Sequence, residues 1–143
     1  AELEPLLVQL LAGPAVADYV ELADSHRAAG RHREALQTLQ RALDVRPRDP
    51  LLWWWSGRAA LKLGELERAR AALERAAELD PADAEIWADL GQARAQSGDL
   101  EGARAALDRA LALNPQSLRA LHNDATLRRR LGDRGAAAPP TGH

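Results

Sequence analysis

Pro47, Pro81 and Pro115 stand 34 residues apart, and the segments that lead into them read RALDVRP, RAAELDP and RALALNP. The same step relates Gly30, Gly64 and Gly98, Ala35, Ala69 and Ala103, Leu39, Leu73 and Leu107, and Ala42, Ala76 and Ala110. Self-similarity at this spacing marks an array of stacked supersecondary units. One such unit cannot bury its apolar face alone, so neighbours must stack to make a continuous core. An array of this kind points to a surface that holds another chain.

The composition says what the units are made of. Aromatic residues are 3% of the chain and Phe is absent, so the core must rest on Ala and Leu packed closely. Ala, Leu, Arg and Glu dominate and favour helix, which predicts an all-α protein. Each period divides into two helices around its glycine, because glycine readily takes the left-handed conformation that ends a helix. The expected pairs are Val16 to Ala29 with His32 to Val45, Leu51 to Leu63 with Leu66 to Leu79, and Ala84 to Ser97 with Leu100 to Leu113. The residue before a proline disfavours helix, so Pro47, Pro81 and Pro115 close the pairs. A last helix is expected from Leu118 to Leu131, stopping at Gly132.

These residues resemble the tetratricopeptide repeat family. Its signature is matched by Trp87, Leu90, Gly91, Ala103, Leu107, Ala110 and Pro115. Trp53, Gly57, Ala69, Leu73, Ala76 and Pro81 match with Ser56 in place of a leucine, and Tyr19, Leu22, Ala35, Leu39, Ala42 and Pro47 match with Ala23 in place of a glycine. The family's tyrosine-like position departs from the pattern, holding His26, Ala60 and Arg94. The resemblance implies a right-handed superhelical α-solenoid of antiparallel helix pairs. Its expected parts are an amino-terminal cap (1–15), three repeats (16–49, 50–83 and 84–117), a closing helix (118–134) and a flexible tail (135–143). By analogy, Asp124 and Arg128 of the closing helix occupy the face that would meet a following helix, while Leu121, Ala125 and Leu131 pack backwards. That arrangement would end the array by design.

Charge and the chain ends narrow the partners. The net charge of −2 argues against nucleic acid, which calls for a basic stripe. Residues 118–143 nevertheless carry +3 on an otherwise neutral or acidic body. Of the basic residues only Lys62 is lysine, a bias that suggests a GC-rich bacterial genome. No cysteine is present, so disulfides and thiolate metal sites are excluded. No apolar run approaches the ~20 residues that cross a bilayer, so membrane insertion is not expected. Cytoplasmic residence is the default expectation, with export after leader cleavage as the alternative. Glu4 to Leu11 reads as a short helix with Leu6, Leu7, Leu10 and Leu11 on one side, either covering the first pair or mediating self-association.

Trp53, Trp54 and Trp55 are consecutive. Successive helical residues turn by about 100°, so the three cannot share one buried stripe. Trp53 belongs with Gly57 on the face toward its partner helix. Trp55 is expected to pack between repeats. The resemblance places the flank of Trp54, Arg58 and Leu61 in the concave groove lined by the first helix of each pair. The same flank continues as Ala17, Val20 and Asp24 in the first repeat and as Glu85, Ala88, Asp89, Gln92 and Gln96 in the third. In the last helix it continues as Arg119, His122, Asn123, Thr126 and Arg129. The predicted peptide-binding residues are Trp54, Arg58, Leu61, Lys62, Asp89, Gln92, Gln96, His122, Asn123, Thr126 and Arg129. Tryptophan beside a cation suits an interface anchor.

Some family members grip a terminal carboxylate with Lys and Asn. Here the corresponding positions hold Val20, Asp24, Trp55, Glu85 and Asp89, or one repeat later Trp54, Arg58, Asp89, Arg119 and Asn123, so that grip is not expected. No phosphate loop or paired histidines occur, and neither catalytic residues, cofactors nor metals are predicted. The function expected is a non-enzymatic protein-interaction scaffold for a protein or peptide ligand. The alternatives are a docking segment of a larger enzyme or secretion component, and a self-associating module.

Overall fold

The computed structural model describes residues 16–137, with side chains as far as residue 132. It contains α1 (Val16–Ala28), α2 (His32–Val45), α3 (Pro50–Leu63), α4 (Leu66–Leu79), α5 (Ala84–Gln96), α6 (Leu100–Leu113) and α7 (Leu118–Ala137). Local chemistry sets the boundaries. Asp49 caps α3 by accepting a hydrogen bond from the Leu51 amide at 3.0 Å, with Pro50 at the first helical position, and Asp83 caps α5 in the same way through Glu85. Gly30, Gly64 and Gly98 turn the chain between paired helices at φ of 77°, 74° and 91°. Gly132, in step with them, does not. It stays helical and α7 runs on to Ala137, so the expected stop at Gly132 is incorrect and residues 135–137 extend the helix. A glycine permits a turn without forcing one, and its cost inside a helix is only about 1 kcal/mol. The expected amino-terminal helix at 4–11 and the tail from residue 138 lie outside the described residues.

The helices of a pair approach closely because glycine sits at the crossing. A Cβ added to Gly57 would lie 2.5 Å from Leu73 Cγ, and one added to Gly91 would lie 2.7 Å from Leu107 Cγ. Both leucines are fully buried. Between pairs, Leu36, Leu73, Ile86 and Leu90 join small alanines in one continuous cluster. The tryptophans at the start of α3 and α5 add a joint between repeats. Trp53 Nε1 donates to the Pro47 carbonyl and Trp87 Nε1 to the Pro81 carbonyl, each at 2.8 Å. The proline that ends one repeat therefore supplies the acceptor that seats the next.

Ser56 takes the position that Leu90 fills one repeat later. Its hydroxyl is buried and has no hydrogen-bond partner. Stranding a polar group costs about 1–3 kcal/mol, and alanine is also the better helix former. Ser56→Ala is thus expected to stabilise the fold by about 1 kcal/mol, read as a rise in the urea midpoint at unchanged slope.

Arg128 is exposed as expected, but Asp124, Leu121, Ala125 and Leu131 lie on the opposite faces of α7 from those expected. Asp124 is buried, accepting a hydrogen bond from Arg104 of α6 and pairing with Arg128 at 3.0 Å, while Ala120 and Leu127 are buried with it. Burial works against the Arg104 charge, but its hydrogen bonds to Asp124 and Asp108 raise its pKa. Leu121 and Leu131 are 44% and 38% exposed, and Ala125 is exposed beside them. The period explains the correction. Asp124 falls in step with Leu90, which packs backwards, whereas Leu121 and Ala125 fall in step with Trp87 and Gly91, which meet the partner helix. The outward face of α7 is therefore largely apolar, with Arg128 its exposed charge.

Candidate interaction face

The first helices of successive repeats are tied together by one polar cluster. Asp89 on α5 is buried, and its Oδ2 accepts a hydrogen bond from Trp54 Nε1 of α3 at 2.6 Å and from Arg119 Nη1 of α7 at 3.0 Å. Arg58 Nε lies 3.8 Å from the same oxygen. The Trp54 ring is stacked by two guanidinium groups, with Arg58 at 5.3 Å and Arg119 at 5.6 Å from its centroid. Such contacts draw on the negative ring face and strengthen when partly shielded from water. Arg119 also pairs with Glu85 at 3.6 Å, and Glu85 accepts from the Ser117 hydroxyl at 2.6 Å.

Burial pushes the Asp89 carboxyl above its ordinary range, against the opposing pull of Arg119, the Trp54 N–H and Arg58. The Arg58 guanidinium is held below its ordinary value by burial first and by Arg119 second. One buried carboxylate thus anchors two cations and an indole, leaving the outer surfaces of both arginines available. Side-chain exposures of 39% and 30% for Arg58 and Arg119 show that access.

The remaining predicted residues divide by exposure. Lys62, Gln96, His122 and Arg129 are exposed, and Gln92 is half-buried. Leu61 is half-buried against the core of the second and third repeats. Asn123 is buried, and its amide donates to the Ala88 carbonyl at 3.0 Å, so it ties α7 to α5. Thr126 donates to the His122 carbonyl at 3.1 Å and accepts from Arg129 at 3.3 Å. Trp55 packs against the first repeat's cluster of Ala23, Leu39, Ala42 and Leu43. Sequence reasoning put Arg119 on the right flank but left it out of the predicted site. The repeat period gives a residue's direction, but not the reach of a guanidinium to an indole two repeats away.

A family model for the tetratricopeptide repeat matches residues 20–84 and 56–117, together more than half of the chain. The chain belongs to the tetratricopeptide repeat family. No curated protein matches it in sequence. Among solved structures it is similar to the Sgt2 tetratricopeptide repeat domain from Aspergillus fumigatus, at 22% identity over 91% of this chain and 88% of that one, with a TM-score of 0.82. It is also similar to the first such domain of Spaghetti (RPAP3), at 21% identity over 82% and 93% with a TM-score of 0.77. MamA matches at 22% identity over 86% and 72% with a TM-score of 0.78. The fold is the all-α solenoid of antiparallel pairs that the proline period announced. Tetratricopeptide repeats are protein-interaction scaffolds, and no enzymatic family is matched. Among the described residues, no helix is long and apolar enough to cross a membrane, and no cluster of three metal-ligating side chains occurs.

Proposed function

We propose that this repeat protein is a non-enzymatic scaffold that holds a peptide or partner segment along the concave groove lined by α1, α3, α5 and α7. The observation that carries the reading is the stack of Arg58, Trp54 and Arg119 fixed by Asp89. Rigid, half-buried aromatic and guanidinium groups with exposed outer edges are the chemistry of interface hot spots. Because the stack is already ordered, a ligand would incur little side-chain entropy in using it.

Two structural neighbours support a peptide as the ligand class. The first domain of Spaghetti is bound to an HSP90 peptide, and the second domain of human RPAP3 is in complex with an HSP70 peptide. The residues here do not favour the carboxylate grip considered above. Asp89 supplies an acid at its centre and the Asn123 amide is committed to Ala88.

The test is affinity for peptides selected on the intact chain from a random display library. Trp54→Ala and Arg119→Ala should each weaken such peptides about tenfold, with helicity retained by circular dichroism. Arg75→Ala, which removes an exposed pair with Glu78 on α4, should leave affinity unchanged. Equal affinity across all three variants would reject the groove.

A further inference from the structure

We propose that the cleft between the first and second repeats is a specificity pocket for a bulky apolar side chain flanked by carboxylates, so that the ligand is an acidic-apolar peptide. This rests on the groove reading above and names the partner chemistry of its first half.

The cleft has a volume of ≈ 440 Å³ and opens between α1, α2 and α3. Its apolar wall is made by Ala23, Ala35, Leu39, Ala59 and the ring of Trp55. Its rim carries Arg27, His32, Arg58 and Lys62 against one acid, Asp24. Asp24 is already taken by Arg27, which donates to it from Nε at 2.9 Å and Nη2 at 2.7 Å. Lys62 stands one helical turn from Arg58 on α3, and although Asp89 lies 3.8 Å from Arg58 on its other side, this like-charged spacing favours an anion at the mouth of the cleft. Among the described residues no carboxylate pairs with Lys62.

The next interface shows why this place is special. One period on, Leu61 and Leu66 stand where Arg27 and His32 stand here, and both are half-buried against their surroundings. The same step replaces Trp55, Arg58 and Lys62 with Asp89, Gln92 and Gln96. Leucines in place of Arg27 and His32, and neutral amides in place of Arg58 and Lys62, take the cationic rim away from the second interface, whereas the first keeps it above an apolar-walled recess. An apolar group fills the recess, and acids beside it meet Arg58 and Lys62 at the mouth.

Peptides selected from a random display library on the intact chain test this directly. The expected sequences place Asp or Glu next to Leu, Met or Phe, and their binding weakens as salt is raised. Lys62→Glu, at an exposed position, should weaken them about fivefold without lowering the melting temperature, since it replaces a like-charged pair with an opposite one. Peptides that are lost on Arg119→Ala but lack acids, or that ignore Lys62→Glu, would overturn the pocket while leaving the groove standing. Insensitivity to Trp54→Ala and Arg119→Ala as well would remove the groove itself. The chain's own Glu2 to Leu7 has the same acidic-apolar character. Concentration-dependent association in sedimentation that Lys62→Glu disperses would overturn the external partner in favour of that segment from a second copy.

Discussion

Gly57→Ala is expected to destabilise the protein by about 1–2 kcal/mol, although alanine is the better helix former. The propensity gain is about 1 kcal/mol, but overpacking a filled core costs about 1–3 kcal/mol. The new methyl would sit 2.5 Å from Leu73 Cγ and 2.8 Å from its Cδ2. A branch carbon cannot swing aside as a chain end can, and Leu73 is fully buried, so the two helices must part. Leu73→Ala alone should cost more, about 3 kcal/mol, through lost burial and a cavity. The double variant is the informative one. The methyl added at position 57 then enters space that Leu73 vacated, so the pair should be more stable than the sum of the single changes by more than about 1 kcal/mol. Urea midpoints of the four proteins measure this, and strict additivity would show that the helices cross too loosely for the clash to arise. Ala23 and Leu39 offer an internal control. The first repeat already carries a Cβ at the equivalent position, so Ala23→Gly should lose helix propensity and recover no clash.

The same crossing shows what was legible in the sequence. Glycine and proline punctuation fixed the pairing of helices, because turns and close approaches depend on local backbone and volume. Gly57, Gly91 and the left-handed turns at Gly64 and Gly98 follow from residue type alone. Gly132 did not, since whether a permissive residue is used depends on what lies beyond it. The faces of α7 were misread for a related reason. Asp124 looks like a surface residue by type, and Arg104 on the preceding helix, together with Arg128 on its own, makes its burial tolerable. The flank of Trp54 and Arg58 was visible from helical angles. The stack that Arg119 completes was not, because it joins α3 to α7 through Asp89 on α5. Similarly, the cleft beneath Lys62 is a property of what Arg27 and His32 fail to fill, which sequence direction alone does not convey.

Asp89 is where stability and recognition meet, and its removal should be felt in both. Asp89→Ala takes away the acceptor of the Trp54 N–H and the 3.0 Å partner of Arg119, leaving the indole donor half-buried and two guanidiniums against one ring without the carboxylate they share. A loss of about 2 kcal/mol follows from stranding those donors, softened because both arginines still reach water. Asp89→Asn keeps an acceptor and should cost less.

Acid separates the two terms further. Burial raises the Asp89 pKa in the folded chain, so within the window between the ordinary carboxylate value of about 3.9 and the raised one, the folded state holds more protons than the unfolded state. Stability then rises as pH falls through that window and is lost as pH climbs back. Wild type should therefore gain on Asp89→Asn as the solution is acidified. The Trp54 indole N–H resonance should report the same step, with a midpoint above about 3.9. A midpoint below that value would mean that Arg119 and Arg58 outweigh burial and would reverse the pH dependence. On the expected side, protonation removes the anion that Arg58 and Arg119 share, so acidic peptides should bind the Arg58 end more tightly until their own carboxylates protonate.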